Sequence, residues 1–308
     1  MLGSVSGMRV AVGPDHAPSW LRDAVVAGGG HLVDLGEAEA IVWGDARQPD
    51  ALRDALRRAS QVRWVQLPFA GIENFIDMVD DNRIWTCGKG VYAEPVAEHA
   101  LALALAGLRH VGGYSRQREW SGPAGRNLLG GNVTIVGGGG ITESLVRLLG
   151  PFGCRITVVR RTVEPMDGVV TVAGTDDLHH CLVGADLVVL ALALTPSTIG
   201  LMSSVEFGLM EPHAWLVNVA RGRHIVTDDL VSALTTGEIG GAALDVTDPE
   251  PLPSGHPLWS LPNCIISPHV GNTPEMAVPL LSERVSTNVR LMSSGVEPIG
   301  RIDPVAGY

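Results

Sequence analysis

Asn132-Val-Thr-Ile-Val-Gly137-Gly-Gly139-Gly-Ile-Thr142-Glu-Ser-Leu145 reads as a β-strand, a glycine turn and the opening of a helix. The run Val-Thr-Ile-Val is β-branched throughout and favours extended backbone. Four glycines end it, and apolar spacing suited to a helix follows. Gly137, Gly139 and Thr142 occupy the three glycine places of the G-x-G-x-x-G fingerprint. Gly137 permits the tight turn, and Gly139 lets the backbone approach a pyrophosphate held at the helix N-terminus. The third glycine serves close helix–strand packing, so Thr142 is expected to widen that contact without abolishing the phosphate site.

An NAD-binding chain of this kind usually carries a carboxylate about 20 residues on, where it holds the ribose hydroxyls. Here that position is Val159, followed by Arg160 and Arg161. Nothing there repels a 2′-phosphate, and two guanidiniums can bind it. The pattern predicts NADP(H) in preference to NAD(H).

Outward from this motif, strand-like and helix-like runs alternate along the whole chain, which argues for an α/β protein with parallel sheets. After Asn132 the expected strands are Val133–Val136, Arg155–Val159, Asp186–Leu192, Trp215–Val219, Gly241–Val246 and Cys264–Ser267. Six strands with intervening helices fit a doubly wound nucleotide-binding domain. One helix is expected with Thr227 as N-cap, Asp228 and Asp229 in its first turn and Gly237 as terminator. Before the motif, strands are expected at Met8–Val12, His31–Leu35, Ala40–Trp43, Val62–Leu67 and Ile84–Cys87. A helix is expected over Pro49–Ala59, where Ala51, Leu52, Ala55 and Leu56 share one face. Pro95 suits the first turn of a helix running to about Arg109. Its Ala100–Leu108 stretch is apolar nearly all round and is expected to be buried between domains or subunits. A last helix, Thr273 to Met292, contains Pro279, which should kink it or delay its start.

Composition removes several function classes. Lys+Arg 22 against Asp+Glu 33 gives a net charge of −11, so the surface repels phosphate backbones and no nucleic-acid partner is expected. Lys89 is the single lysine, and Gly90 follows it; a P-loop requires Ser or Thr there. Glycine is 38 of 308 residues, above the usual share of about 7%, which suggests tight turns or close approaches to a ligand. Cys87, Cys154, Cys181 and Cys264 form no C-x-x-C pair, as expected for buried thiols in a reducing cytoplasm. Met1–Gly7 has neither a basic nor an apolar signal region, and no apolar run reaches the ~20 residues of a membrane span. A cytoplasmic protein with no membrane partner is the expectation. His179 and His180 are adjacent, so on a helix they diverge; no metal site is expected.

Three further segments end predicted strands. Val217-Asn-Val-Ala-Arg-Gly-Arg carries Arg221, Gly241-Ala-Ala-Leu-Asp-Val-Thr-Asp-Pro-Glu carries Glu250, and Asn263-Cys-Ile-Ile-Ser-Pro-His carries His269. Open α/β sheets bind ligands at the carboxyl ends of their strands. Arg221 could pair with a substrate carboxylate and polarise a keto oxygen. His269 could supply the proton that becomes the hydroxyl hydrogen. Glu250, bonded to the imidazole, would orient it and favour its protonated form.

Together with Leu190-Ala-Leu-Ala-Leu-Thr195-Pro, His256-Pro-Leu-Trp259 and Val96-Ala-Glu-His99, these segments resemble the D-isomer-specific 2-hydroxyacid dehydrogenase family over nearly the whole chain. The resemblance implies a triad of Arg221, Glu250 and His269, with Asp245 and the Ala220 backbone near the nicotinamide carboxamide. Gly140, Ile141 and Thr195 would line the cofactor cleft. Val65-Gln-Leu-Pro-Phe-Ala-Gly71 looks like the loop whose amides, from Ala70 and Gly71, bind the substrate carboxylate. Trp43 stands in a segment similar to a substrate-side loop of glyoxylate and hydroxypyruvate reductases, a subgroup that often uses NADPH. Lys89 and Tyr92 lie where the family's chain passes the active cleft. The implied fold is a Rossmann domain (98–276) inserted into a flavodoxin-like substrate domain (1–97 and 277–308).

The sequence reading is therefore an NAD(P)-dependent reductase of small 2-keto acids that yields D-2-hydroxy acids. A homodimer is expected, with Ala100–Leu108 as a candidate contact. A cofactor-sensing binding protein, like the corepressors sharing this fold, is the alternative; a formate dehydrogenase is a weaker one.

Overall fold

The computed structural model describes residues 7–303; the Met1–Ser6 stretch read above for a signal, and residues 304–308 of the carboxyl-terminal segment, lie outside them. The chain divides into two compact units. One comprises the residues up to Tyr92 together with those from Thr273 onward, and the other is Ala93–Asn272. The crossovers lie a few residues before the 97/98 and 276/277 boundaries drawn from sequence.

In the first unit, β1 (Arg9–Gly13), β2 (His31–Leu32), β3 (Ala40–Trp43), β4 (Trp64–Gln66) and β5 (Ile84–Thr86) form a parallel sheet in the order β2-β1-β3-β4-β5. This is the flavodoxin-like strand order. Helices α1 (Ser19–Ala27), α2 (Pro49–Arg58) and α9 (Pro274–Ser293) belong to it. The expected strand at His31–Leu35 stops at Leu32, because both its residues are exposed at the sheet edge and a 3₁₀ turn takes over at Leu35. Helix α9 joins this unit through apolar and polar contacts. Val285, Val289 and Met292 pack with Met8, Val10, Leu21 and Val25. Fully buried Asn288 donates from Nδ2 to Gln66 Oε1 (2.8 Å), accepts from Ile299 N (2.8 Å), and meets a Gln66 that also accepts from Thr86 Oγ1 (2.9 Å). Buried amides satisfied in this way fix one arrangement, since each lost partner would leave a desolvated group costing about 1–3 kcal/mol. Pro279 does not delay the helix: Thr273 is its N-cap and Pro274 its first residue, a place where the missing N–H costs nothing.

In the second unit, β6 (Asn132–Val136), β7 (Arg155–Val159), β8 (Thr171–Ala173), β9 (Leu187–Leu190), β10 (Trp215–Asn218), β11 (Gly241–Leu244) and β12 (Cys264–Ile266) form a parallel sheet ordered β12-β11-β10-β9-β6-β7-β8. Counted within the unit, this is the doubly wound 3-2-1-4-5-6 order with a seventh strand added. The six strands expected from sequence omit β8. It is a three-residue edge strand paired only with β7, too short to show a period.

The remaining helices are α3 (Ala93–Leu108), α4 (Val111–Tyr114), α5 (Gly140–Leu149), α6 (Leu178–Leu182), α7 (Ser204–Phe207) and α8 (Thr227–Thr236). Strands β9, β10 and β11 are buried throughout, because helices cover both faces of a parallel sheet. Successive side chains alternate faces. Val188 and Leu190 pack with Leu216 and Leu244, whereas Leu187 and Val189 pack with Val217 and Ala243. Gly237 closes α8 in the left-handed region (φ 73°), as its spacing predicts. Thr227 is not the N-cap: Val226 is, and the Thr227 hydroxyl donates instead to the Asp248 carbonyl at 2.8 Å.

Candidate active site

The fingerprint turn leaves β6 and opens α5. Gly137 has φ 120°, and a Cβ there would lie 2.1 Å from the Ala191 carbonyl oxygen, so only glycine fits. A Cβ on Gly139 would meet open space. Thr142 is fully buried, and its hydroxyl donates to the Gly137 carbonyl at 2.9 Å. The residue that breaks the fingerprint therefore ties the turn to its helix. Arg160 follows β7 beside this turn. Its side chain crosses Gly138, where a Cβ would lie 2.8 Å from Arg160 Cδ, and its guanidinium is 3.9 Å from Glu164. Arg161 beside it is exposed. Ile141 is half-buried in the first turn of α5. Thr195 follows β9 in a turn held by Thr198, whose hydroxyl accepts from Thr195 N at 2.8 Å.

The three expected catalytic side chains follow β10, β11 and β12 of the same sheet. Asn218, at the end of β10, is fully buried. Its Oδ1 accepts from Ala220 N (3.0 Å) and its Nδ2 donates to the Arg221 carbonyl (2.9 Å), which fixes the backbone under Arg221. The Arg221 guanidinium folds back to donate to the Ala220 carbonyl at 2.7 Å. Gly222 allows the 3₁₀ turn that follows, since a Cβ there would lie 2.0 Å from Thr247 backbone.

Glu250 Oε1 and His269 Nδ1 are 2.7 Å apart. A carboxylate only accepts, so Nδ1 carries hydrogen and Nε2 is the nitrogen left for proton exchange. The His269 side chain is 52% exposed and Glu250 43%. Ion pairs this exposed contribute only about 0–1 kcal/mol, so orientation rather than stability is what the pair provides. His269 has φ 55°, left-handed for a side chain that is not glycine.

Asp245, after β11, is buried and takes hydrogen bonds from Ser267 Oγ (2.6 Å), Val270 N (2.9 Å) and Gly271 N (2.9 Å), with His99 Nε2 at 3.2 Å. Burial alone would raise its pKa. The hydrogen bonds from His99, Ser267, Val270 and Gly271 outweigh burial and hold it down to about 2. Sequence spacing gave no sign that His99, Asp245 and Ser267 meet. His224 was missed as well: it is fully buried, with Nδ1 2.9 Å from the Thr198 carbonyl and Nε2 3.3 Å from that of Leu192, so it braces the loop that carries Thr195.

In the first unit, Ala70 and Gly71 lie on the loop after β4, and Ala70 is exposed. That loop is pinned by Gly88 N donating to the Phe69 carbonyl (2.9 Å) and by Asn74 Nδ2 donating to the Ala46 carbonyl (3.1 Å). Burial raises the Tyr92 pKa, and its hydroxyl lies 3.5 Å from the Pro68 carbonyl. The Lys89 carbonyl accepts from Arg284 at 3.0 Å, and the residue is exposed. Trp43 corrects the sequence reading. It is buried in the core with Ile41, Leu52 and Trp85, its ring covers Gly13, and its indole N–H is used on the Asp45 carbonyl (2.8 Å). A side chain enclosed in this way has no surface to offer a substrate.

Among the described residues no group of three or more His, Cys, Asp or Glu could hold a metal ion, and no helix is long and apolar enough to cross a membrane. His179 pairs with Glu206 at 2.7 Å.

The model of the D-isomer specific 2-hydroxyacid dehydrogenase NAD binding domain matches residues 100–271. An uncharacterised protein of Corynebacterium melassecola is 37% identical over 297 residues, covering 92% of this chain and 95% of its own. A glyoxylate/hydroxypyruvate reductase A of Serratia proteamaculans is 32% identical over 221 residues, covering 70% of this chain and 69% of its own. Among solved structures, a probable 2-hydroxyacid dehydrogenase of Rhizobium etli in complex with NADP, HEPES and L(+)-tartaric acid is 25% identical. It superposes with a TM-score of 0.83, covering 98% of this chain and 100% of its own.

Proposed function

The chain belongs to the D-isomer-specific 2-hydroxyacid dehydrogenase family and is an oxidoreductase; on that premise we propose that it reduces a small 2-keto acid, of the glyoxylate or hydroxypyruvate kind, to the D-2-hydroxy acid. The observation that carries this reading is the 2.7 Å pair of Glu250 and His269 on the sheet edge that also presents Arg221 and the glycine turn.

The turn fits a dinucleotide. Gly137 is sterically obligatory, space is open over Gly139, and Gly140 begins a ten-residue helix whose N-terminus favours phosphate. When bound, the reduced nicotinamide supplies the hydride. Gly137, Gly139, Gly140, Ile141, Thr195, Ala220 and Asp245 form the cofactor side. Arg160 and Arg161 take a 2′-phosphate, so NADPH is preferred over NADH; the NADP bound in the Rhizobium etli relative supports this choice.

Arg221 holds the substrate carboxylate and draws charge toward the keto oxygen. In the first unit, the Ala70 and Gly71 amides are the proposed substrate contacts. His269 gives the proton from Nε2 to that oxygen, and Glu250 stabilises the imidazolium beforehand.

The partner is a second copy. Ala100–Leu108 stays the candidate contact: Ala100, Leu103, Ala104, Gly107 and Leu108 pack into their own unit, with Gly107 against the Trp215 ring, while Leu101, Ala102, Leu105 and Ala106 of the same helix are not fully buried. The four cysteines are unpaired, which fits a reducing cytoplasm.

The experiment is a panel of glyoxylate, hydroxypyruvate, pyruvate and longer keto acids with NADPH and NADH in parallel. Turnover of the short acids, faster with NADPH, is expected. Cofactor binding without turnover of any acid would favour the cofactor-sensing alternative.

A further inference from the structure

Three consecutive backbone amides converge on one residue. His269 N donates to the Asp245 carbonyl (2.8 Å), Val270 N to Asp245 Oδ1 (2.9 Å) and Gly271 N to Asp245 Oδ2 (2.9 Å). Successive N–H groups around a left-handed residue form a concave nest for an anion. Here the anion is the protein's own carboxylate.

A left-handed φ at a residue other than glycine costs roughly 1–2 kcal/mol. It persists only where the surroundings over-determine it, and the nest around Asp245 does so for His269. Gly271 completes the fit: a Cβ there would lie 3.0 Å from Asp245 Oδ2 and 3.5 Å from His99 Cδ2.

The carboxylate is itself held from the other side by α3. His99 Nε2 lies 3.2 Å from Asp245 Oδ1 and 3.0 Å from Ser267 Oγ, while Ser267 Oγ is 2.6 Å from the same Oδ1. An ionised carboxylate has no hydrogen to give, and the Ser267 hydroxyl hydrogen points at it. Nε2 of His99 is therefore the donor, shared between Asp245 and Ser267.

We propose that His99 is a positioning residue: through Asp245 it fixes the backbone that presents His269, without acting on the substrate itself. The inference rests on the catalytic role proposed for His269. It also gives Asp245 a task inside the protein, since its oxygens already receive four donors.

The test compares His99→Leu, His99→Gln and Ser267→Ala with the unaltered protein. Steady-state kcat and KM, NADPH affinity by fluorescence titration, melting temperature, and amide hydrogen exchange at Val270 and Gly271 are read for each. A misplacement near 1 Å costs about 100-fold in rate, and a loss of about that size in kcat is expected for His99→Leu, with NADPH affinity unchanged and exchange at both amides faster. His99→Gln, whose amide nitrogen can donate from a similar reach, should restore most of the rate and the protection. Wild-type kcat and exchange in His99→Leu would overturn the proposal, as would equal losses in the Leu and Gln variants at equal melting temperature. Should His99→Leu fail to fold, Ser267→Ala decides: faster exchange with lowered kcat supports the network, and unchanged values sink it. If the unaltered protein turns over no keto acid, the functional reading fails, while the exchange data still judge the loop.

Discussion

Two loops at the carboxyl edge of one sheet reach unusual backbone conformations by opposite means. After β6, the chain turns at φ 120° because Gly137 has no side chain to strike the Ala191 carbonyl. After β12, it turns at φ 55° although His269 has a full imidazole, because Asp245 gathers the amides of residues 269, 270 and 271. The first loop removes atoms so that a ligand can approach. The second, on the proposed function, retains the proton-donating side chain and supplies its conformation from elsewhere in the fold. A phosphate requires only backbone and space, whereas proton transfer requires a particular group, and that group cannot be glycine.

The largest effect that would sharpen this contrast comes from deleting that group. General acid catalysis typically contributes about 10²–10⁴-fold, and His269→Ala should lose that much in kcat while its NADPH affinity, measured by fluorescence titration, stays as it was. Comparable losses in both would show that the two loops do not divide the work.

Next in size is Gly137→Ala. A Cβ 2.1 Å from a carbonyl oxygen cannot be accommodated without backbone movement, and strain of this kind costs about 1–3 kcal/mol or more. Denaturant titration should show that loss, with weakened cofactor binding. Wild-type stability and binding would mean that the turn is not glycine-dependent after all.

A smaller and more selective change is expected for Arg160→Ala, beside the first loop. Losing a charge-assisted contact worth about 1.5–3 kcal/mol should raise KM for NADPH by roughly tenfold or more and leave NADH little affected. Equal loss for both cofactors would remove the argument for a 2′-phosphate site.

The smallest effect concerns acid stability of the second loop. Asp245 is held at about 2 against a usual 3.8, so the folded state binds fewer protons than the unfolded one between those values. Its contribution is present above pH 3.8 and is lost as pH falls toward 2. Asp245→Asn should flatten the stability curve in that window, as read by thermal melts across pH. An unchanged slope would show that the nest does not depend on a charged occupant.

The contrast also explains what could be read from the chain alone. The glycine turn was legible because its cause is local: β-branched residues, then glycines, then a helical period within one stretch. That Arg221, Glu250 and His269 follow successive strands of one sheet is legible because each lies in a short motif at a strand end. The anchor of His269 was not, since His99, Asp245 and Ser267 are distant in sequence and meet only when α3, β11 and β12 pack together. Trp43 was misassigned for a related reason. Position at the end of a strand does not tell whether the ring turns outward or, as here, over Gly13 into the core. Strand β8 escaped because three edge residues carry no periodicity.

The most direct test of the central claim follows the hydride itself. The protein is mixed with hydroxypyruvate and NADPH carrying deuterium at both hydrogens of the nicotinamide C4, and the product is read by NMR and chiral chromatography. The expected result is D-glycerate labelled at C2 with the unaltered protein and almost none with His269→Ala. Binding of the labelled cofactor with no deuterium reaching C2 of any keto acid tried would contradict the account.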